Sequence, residues 1–414
     1  MNAHEKFGVT DIPFAEPSWY FGNPTPYYNE NHVAWRAKVR EWVSKEIKPY
    51  AHTWDEAHEA PIAELRKKAA NAGLLCPYAP VEMGGTPPKG GWDAFMNLIW
   101  LDELSNGGAG GAVVCTFFIT QMSLPHTLIF GSEDLKKRVA EPVIRGDAGI
   151  CITLTEPQGG SDLAQLTTTA VLSDDGSHYI VNGAKKFITG GSTATFFSTL
   201  VRTSGSAHQG LSLLIIEADL PGVTVRKLDA TGWWSGNTTL VTFDDVKVRA
   251  DNLIGQEGMG FMMMATVMNG ERLIGIVGAS RAARACLAEA IKYARQRKTF
   301  GKRLIDHQVI RHKIIHMARK VEAVQAFLEQ ISFQIQNGAS VKEIGTLAAL
   351  GKVEATQALE FCAREASQIL GGNSFVRGGK GEIVERIARE VRVQVVGGGS
   401  EEVLIDLAAR MSKL

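Results

Sequence analysis

The chain has 414 residues, long enough for two or three domains with a sizeable core. Apolar residues make up 45% and charged residues 21%, and 44 basic residues balance 44 acidic ones. That balance gives no basic excess for a nucleic-acid or anionic-membrane surface, and no apolar run approaches the roughly 20 residues of a membrane span. Five cysteines without C-x-x-C spacing argue against a disulfide framework or a zinc site and fit a reducing compartment.

In chain order, residues 1–30 hold one lysine, no arginine and several acids, unlike a signal or transit peptide. Pro13, Pro17, Pro24 and Pro26 suggest an extended arm lying on the surface. Residues 31–147 read as a helical domain. "HVAWRAKVREWVSKEIKPYA" repeats apolar positions at helical spacing, and "APIAELRKKAANAGLL" stops at Asn71-Ala72-Gly73.

Residues 148–250 change to period two and β-branched content, as in "AGICITLTE", "FFSTLV" and "LSLLIIEA". Asp175-Gly176 and Asn182-Gly183 read as turns between strands, so this is a middle β-domain, a barrel or sandwich.

Residues 251–414 return to helix. Ile310, Ile314, Met317, Val321, Val324, Leu328, Ile331 and Ile335 form an unbroken heptad seam that ends at Asn337-Gly338. Ser340 and Glu343 make a capping box for a helix that runs to Leu370 and stops at Gly371-Gly372. The seam predicts an antiparallel four-helix bundle. The fold class is α+β, mostly α: helical domain, β-domain, helical bundle.

Four stretches carry chemistry. "LTEPQGGSD" (154–162) offers the hydroxyls of Thr155 and Ser161 and two glycines that admit a close ligand, although by itself the stretch reads better as a glycine-rich turn with satisfied hydroxyls. "KKFITGGS" (185–192) adds an aromatic on a second strand; together the two suggest a flat heteroaromatic held by amides and hydroxyls. "ARQRKTFGKRL" (294–304) is a cation cluster, either a solvated helix end or a pyrophosphate clamp. "QVVGGGSEEV" (394–403) puts three glycines before two acids.

In order and spacing, "TEPQGGSD", "RKTFGKRLIDHQ", "QILGGNSF" and "GGGSEEV" resemble the acyl-CoA dehydrogenases, from about residue 35 to the C-terminus. The resemblance implies FAD held between the β-domain and the C-terminal bundle. Ile152, Leu154, Thr155, Gly160 and Ser161 would face the flavin, with Phe187 in place of the family's tryptophan, beside Ile188 and Thr189. Arg297, Thr299, Phe300, His307 and Gln308, with Gln368, Gly371 and Gly372, would hold the FAD of a neighbouring subunit, so a homodimer or homotetramer is implied. Gly399 and Glu401 would also lie beside FAD, and Ser161, Arg272 and Gly398 beside the substrate.

The implied reaction removes a proton α to an acyl-CoA thioester while the β-hydride passes to flavin N5, giving the trans-2-enoyl-CoA. Many family members place the basic Glu in the C-terminal loop, where this chain has Gly397. The isovaleryl- and long-chain-type branches carry it on the first bundle helix, at the position of Glu271 in "MNGERLIG". The expected base is therefore Glu271, with the Gly397 amide as an enolate donor; Glu401 and Glu402 are alternatives. Read without the resemblance, Glu271 is a first-turn acid complementing a helix dipole. Four methionines and several small residues around it leave the acyl chain length open. The electron acceptor is either an electron-transfer flavoprotein or oxygen, and a non-catalytic or DNA-binding flavoprotein is the rival class. Ser412-Lys413-Leu414 matches the peroxisomal address, with a cytoplasmic location expected for a bacterial source.

Overall fold

A computed structural model describes residues 5–205 and 207–414. Helices α1 (Glu30–Glu46), α2 (Ala51–Glu56), α3 (Ile62–Asn71) and α4 (Ala94–Ser105) open the chain, followed by α5 (Gly110–Val113), α6 (Ile119–Phe130), α7 (Glu133–Leu135) and α8 (Glu141–Ile144). Strands β1 (Ile150–Thr153), β2 (Thr169–Leu172), β3 (His178–Thr189), β4 (Phe196–Arg202), β5 (Leu211–Glu217), β6 (Val223–Lys227), β7 (Thr238–Arg249) and β8 (Leu253–Ile254) come next. Helix α9 (Gly260–Gln296), the hairpin β9 (Lys298–Thr299) and β10 (Lys302–Arg303), and helices α10 (Gln308–Gln336), α11 (Val341–Leu370), α12 (Glu382–Val396) and α13 (Glu401–Met411) complete it.

The chain divides into two compact units that do not follow chain order. One comprises the chain up to His52, Pro88–Ala109 and Arg272–Leu414; the other comprises Thr53–Pro87 and Gly110–Glu271. The segment 31–147, expected as one helical domain, is thus shared between them.

In the first unit α10 packs on α11 and on α4, and α11 also packs on α12 and α13. The heptad seam is the reason: Ile314, Met317, Val321, Val324, Leu328 and Ile331 are all buried. The capping box at Ser340 and Glu343 starts α11, and Gly371, with φ 59°, ends it. The N-terminal segment differs from the surface arm expected. Trp19 is 3% and Tyr20 1% exposed, and the Arg36 guanidinium lies over the rings of Phe7, Trp19 and Tyr20. Glu16, also buried, accepts from Arg40 at 2.9 Å and Arg281 at 2.9 Å. Seven aromatics in the first 28 residues have more to gain from burial than four prolines have from extension.

In the second unit one sheet runs in the order β6-β7-β3-β2-β4-β5-β8, with β1 pairing parallel to β4. Asp175-Gly176 turns between β2 and β3 as expected, with Gly176 at φ 68°. Asn182-Gly183 does not turn. It lies inside β3 at a bulge, where Gly183 (φ 149°) passes so close to Thr168 that a Cβ would sit 2.5 Å from its Oγ1. The Asn182 side chain then bonds across the bulge to Asp245 at 2.8 and 2.9 Å.

The stretch Gly110–Phe130 is a helical run of 21 residues, long and apolar enough by those measures to cross a membrane, contrary to the reading of the sequence. It is mostly buried within its unit, packing on β1 and on the turn at Trp234–Gly236, and it carries a π-helical stretch at Val114–Phe118.

Candidate functional site

The two motif loops of the β-unit come together, as the sequence suggested, but through residues that sequence reasoning passed over. β1 delivers Ile152, half-buried, and the chain leaves it through Leu154 and Thr155. The Thr155 carbonyl accepts the Lys186 backbone N–H at 2.8 Å, stitching this loop to β3. Beneath it, Lys185 Nζ donates to the Leu154 carbonyl at 3.1 Å and to Glu156 Oε1 at 2.8 Å; Lys185 is fully buried.

Glu156 is the hub. Its carboxylate also accepts the backbone N–H groups of Thr167 at 2.7 Å and Thr168 at 3.0 Å. Burial alone raises its pKa, but the Lys185 charge and these hydrogen bonds outweigh burial and take it down to about 2. Burial in turn pushes Lys185 down to about 8 against the pull of Glu156. The only sequence signal was an acid in one motif and a lysine in the other.

Above this support, Phe187 breaks the strand register with φ 63° and leaves its ring 60% exposed. Ile188 is buried, its carbonyl accepting from Thr239 Oγ1 at 2.9 Å, and Thr189 is half-buried. Gly160 and Ser161 are exposed, and a Cβ at Gly160 would meet only Thr155 Cγ2, at 3.7 Å. An aromatic face, a strand edge and an open glycine turn on a rigid base fit a flat ring system held edge-on by backbone. FAD meets that description.

In the helical unit, Arg297, Phe300 and Gln308 are exposed, Phe300 at 96% with φ 48°. Thr299 and His307 face each other, Oγ1 to Nε2 3.4 Å. Asn373 Nδ2 donates to Tyr293 Oη at 3.1 Å, which brings the turn after Gln368, Gly371 and Gly372 beside the end of α9.

The glycine loop joins α12 to α13. Gly397 caps α12, and its N–H donates to the Val393 carbonyl at 3.0 Å. The N–H expected as an enolate donor thus bonds within the helix end in this structure, because a helix C-terminus draws the following N–H into its last turn. Gly398 and Gly399 follow with φ 69° and 105°. Glu401 is held by α11, from Thr356 Oγ1 to one oxygen and from Gln357 Nε2 to the other, both at 3.2 Å.

Glu271 is half-buried and lies about three turns past the start of α9, so the first-turn dipole reading of this acid falls. Arg272, next to it, is 8% exposed.

Family models match along nearly the whole chain: acyl-CoA dehydrogenase N-terminal domain at residues 29–147, middle domain at 151–246 and C-terminal domain at 258–412. The chain is 38% identical to the acyl-CoA dehydrogenase AFT10-1 of Alternaria alternata, over 97% of this chain and 96% of that one. It is 35% identical to the acyl-CoA dehydrogenase apdG of Emericella nidulans, over 97% and 95%. A crystal structure of an acyl-CoA dehydrogenase from Geobacillus kaustophilus superposes with a TM-score of 0.87 at 30% identity, covering 94% of this chain and all of that one. The chain belongs to the acyl-CoA dehydrogenase family, FAD-dependent oxidoreductases that act on acyl-CoA thioesters.

Proposed function

We propose that Glu271 is the base that takes the α-proton of the acyl-CoA thioester. The observation that carries this reading is the state of the other acids. Position 397 has no side chain, and both carboxylate oxygens of Glu401 already accept hydrogen bonds from α11. Glu402 is exposed, in the first turn of α13, where it complements the helix dipole. Glu271 stands half-buried on the first bundle helix, at the position where the resemblance places the base.

FAD, when bound, supplies the acceptor for the hydride equivalent that leaves the β-carbon. The residues that would hold its ring are Thr155, Phe187, Ile188 and Thr189, on the base built by Lys185 and Glu156. Exposed Phe300, Gln368, Gly371 and Gly372 support the proposal that a second subunit covers them, in a homodimer or homotetramer.

Anaerobic mixing of the FAD-loaded protein with acyl-CoAs of graded chain length and branching tests the reaction, read as loss of flavin absorbance. Glu271→Gln is expected to keep FAD bound and slow that bleaching by at least about 10²–10⁴-fold, the range for a positioned base. Undiminished bleaching would remove Glu271 from the role. Reduced enzyme exposed to air separates the acceptors: prompt peroxide formation assigns oxygen, and its absence excludes oxygen, after which reoxidation by added electron-transfer flavoprotein tests that acceptor directly.

Leu414 is 97% exposed after α13. Where it is the native carboxy terminus, we propose that Ser412-Lys413-Leu414 is read as a peroxisomal address. An amino-terminal fluorescent fusion should be punctate, and diffuse once the tripeptide is removed; diffuse signal from the intact fusion rejects the address.

A further inference from the structure

We propose that Lys352 is a positioning residue that sets the shape of the glycine loop at 397–399 from beneath; that this loop lies beside substrate and FAD, as the resemblance implies for Gly398 and Gly399, rests on the function proposed above. Lys352 stands on α11 and is 1% exposed. Its Nζ donates to the Gly399 carbonyl at 2.8 Å and also to the Val395 carbonyl. Those two carbonyls bracket the glycines: Val395 belongs to the last turn of α12, and Gly399 precedes Ser400, the residue that caps α13.

The contact answers two physical problems. The last carbonyls of a helix have no partner within it and favour a cation. Three successive glycines have no side chain to anchor them and lose the most conformational entropy on ordering. A single ammonium ties both ends of the run to one rigid helix. Thr356, one turn further along α11, holds Glu401, so the same helix grips the chain just past the loop.

The stem of Lys352 runs beside Gly275 of α9, where an added Cβ would stand 3.9 Å from its Cγ. Burial lowers the lysine pKa to about 8, with Glu401 and Glu402 opposing. An apolar side chain would fill the same space without that desolvation, so what the ammonium adds is its two bonds to the loop.

The test compares wild type, Lys352→Met and Lys352→Arg as FAD-loaded proteins. Amide hydrogen exchange is followed over peptides spanning 395–402, with α10 and β3 peptides as internal references. Lys352→Met is expected to speed exchange in the loop by about 10-fold or more while the references stay unchanged, as for local rather than global opening. Lys352→Arg is expected to restore part of the protection. Flavin bleaching by the best acyl-CoA should slow in Lys352→Met, through its maximal rate more than its half-saturating concentration, and recover in step with the loop. If Lys352→Met does not fold, Lys352→Gln, which keeps a donor without the charge, takes its place in the same comparison. Unchanged exchange in the loop, or exchange raised equally in the references, would overturn the proposal. Wild type that no acyl-CoA bleaches would overturn the proposed reaction instead, and the exchange comparison would still decide the role of Lys352.

Discussion

Lys185 Nζ lies 2.8 Å from Glu156 Oε1 with both side chains buried, and this pair joins the loop after β1 to β3, two residues before the exposed Phe187. Removing one member strands the other. Lys185→Met is expected to cost about 3–5 kcal/mol, the usual penalty for an uncompensated buried charge. Glu156→Gln added to Lys185→Met should recover part of that loss, because no unpaired charge is then left. Thermal unfolding of the three proteins measures the stability, and the flavin-to-protein absorbance ratio measures cofactor retention, which should fall with the single change.

Glu16 should contribute an acid-sensitive share of stability. Burial raises its carboxyl, and the Arg281 and Arg40 charges and hydrogen bonds reverse this to about 2. A carboxylate lowered in the folded state stabilises above its unfolded pKa, near 4.5, and loses that contribution as pH falls toward 2. The shift corresponds to roughly 3 kcal/mol. Glu16→Gln should therefore lower the melting temperature at pH 7 and flatten its fall between about pH 4.5 and 2. An unchanged acid limb would place the sensitivity elsewhere.

Moving the base to the loop should not simply work. An added Cβ at Gly397 would stand 2.9 Å from the Val393 carbonyl, a backbone atom that cannot give way cheaply. Gly397→Glu should destabilise by about 1–3 kcal/mol. The double variant Glu271→Gly/Gly397→Glu should bleach with acyl-CoA more slowly than wild type. Full recovery of rate and stability would show that the end of α12 yields.

Trp19→Ala removes a 3% exposed indole that stacks on Tyr28 at 4.1 Å and lies under the Arg36 guanidinium. The expected cost is about 3–5 kcal/mol, as for a core aromatic. Chemical denaturation measures it; a loss below 1 kcal/mol would return the N-terminal segment to the surface.

Local regularity was readable in advance. The seam from Ile314 to Ile331 needs only a 3.5-residue period to declare its buried face, and Ser340 with Glu343 declares a helix start within four residues. The motif loops at 154–161 and 185–189 were visible because glycines and hydroxyls mark places where backbone meets a ligand. Asn182-Gly183 misled for the opposite reason. Its dipeptide chemistry favours a turn, but the approach to Thr168 and the bond to Asp245, 63 residues away, made it a bulge.

The order of elements, the helical periods, the cap residues and the absence of a carboxylate at 397 are properties of short stretches, and the amino-acid sequence by itself determined them. What only the tertiary structure decided are the pairings between distant residues: Lys185 with Glu156, Lys352 with the carbonyls of Val395 and Gly399, Arg281 with Glu16. A charged side chain is buried only where a partner from another element meets it, because desolvation otherwise exceeds any local gain. No spacing rule along one chain encodes that meeting; it exists once the elements have packed.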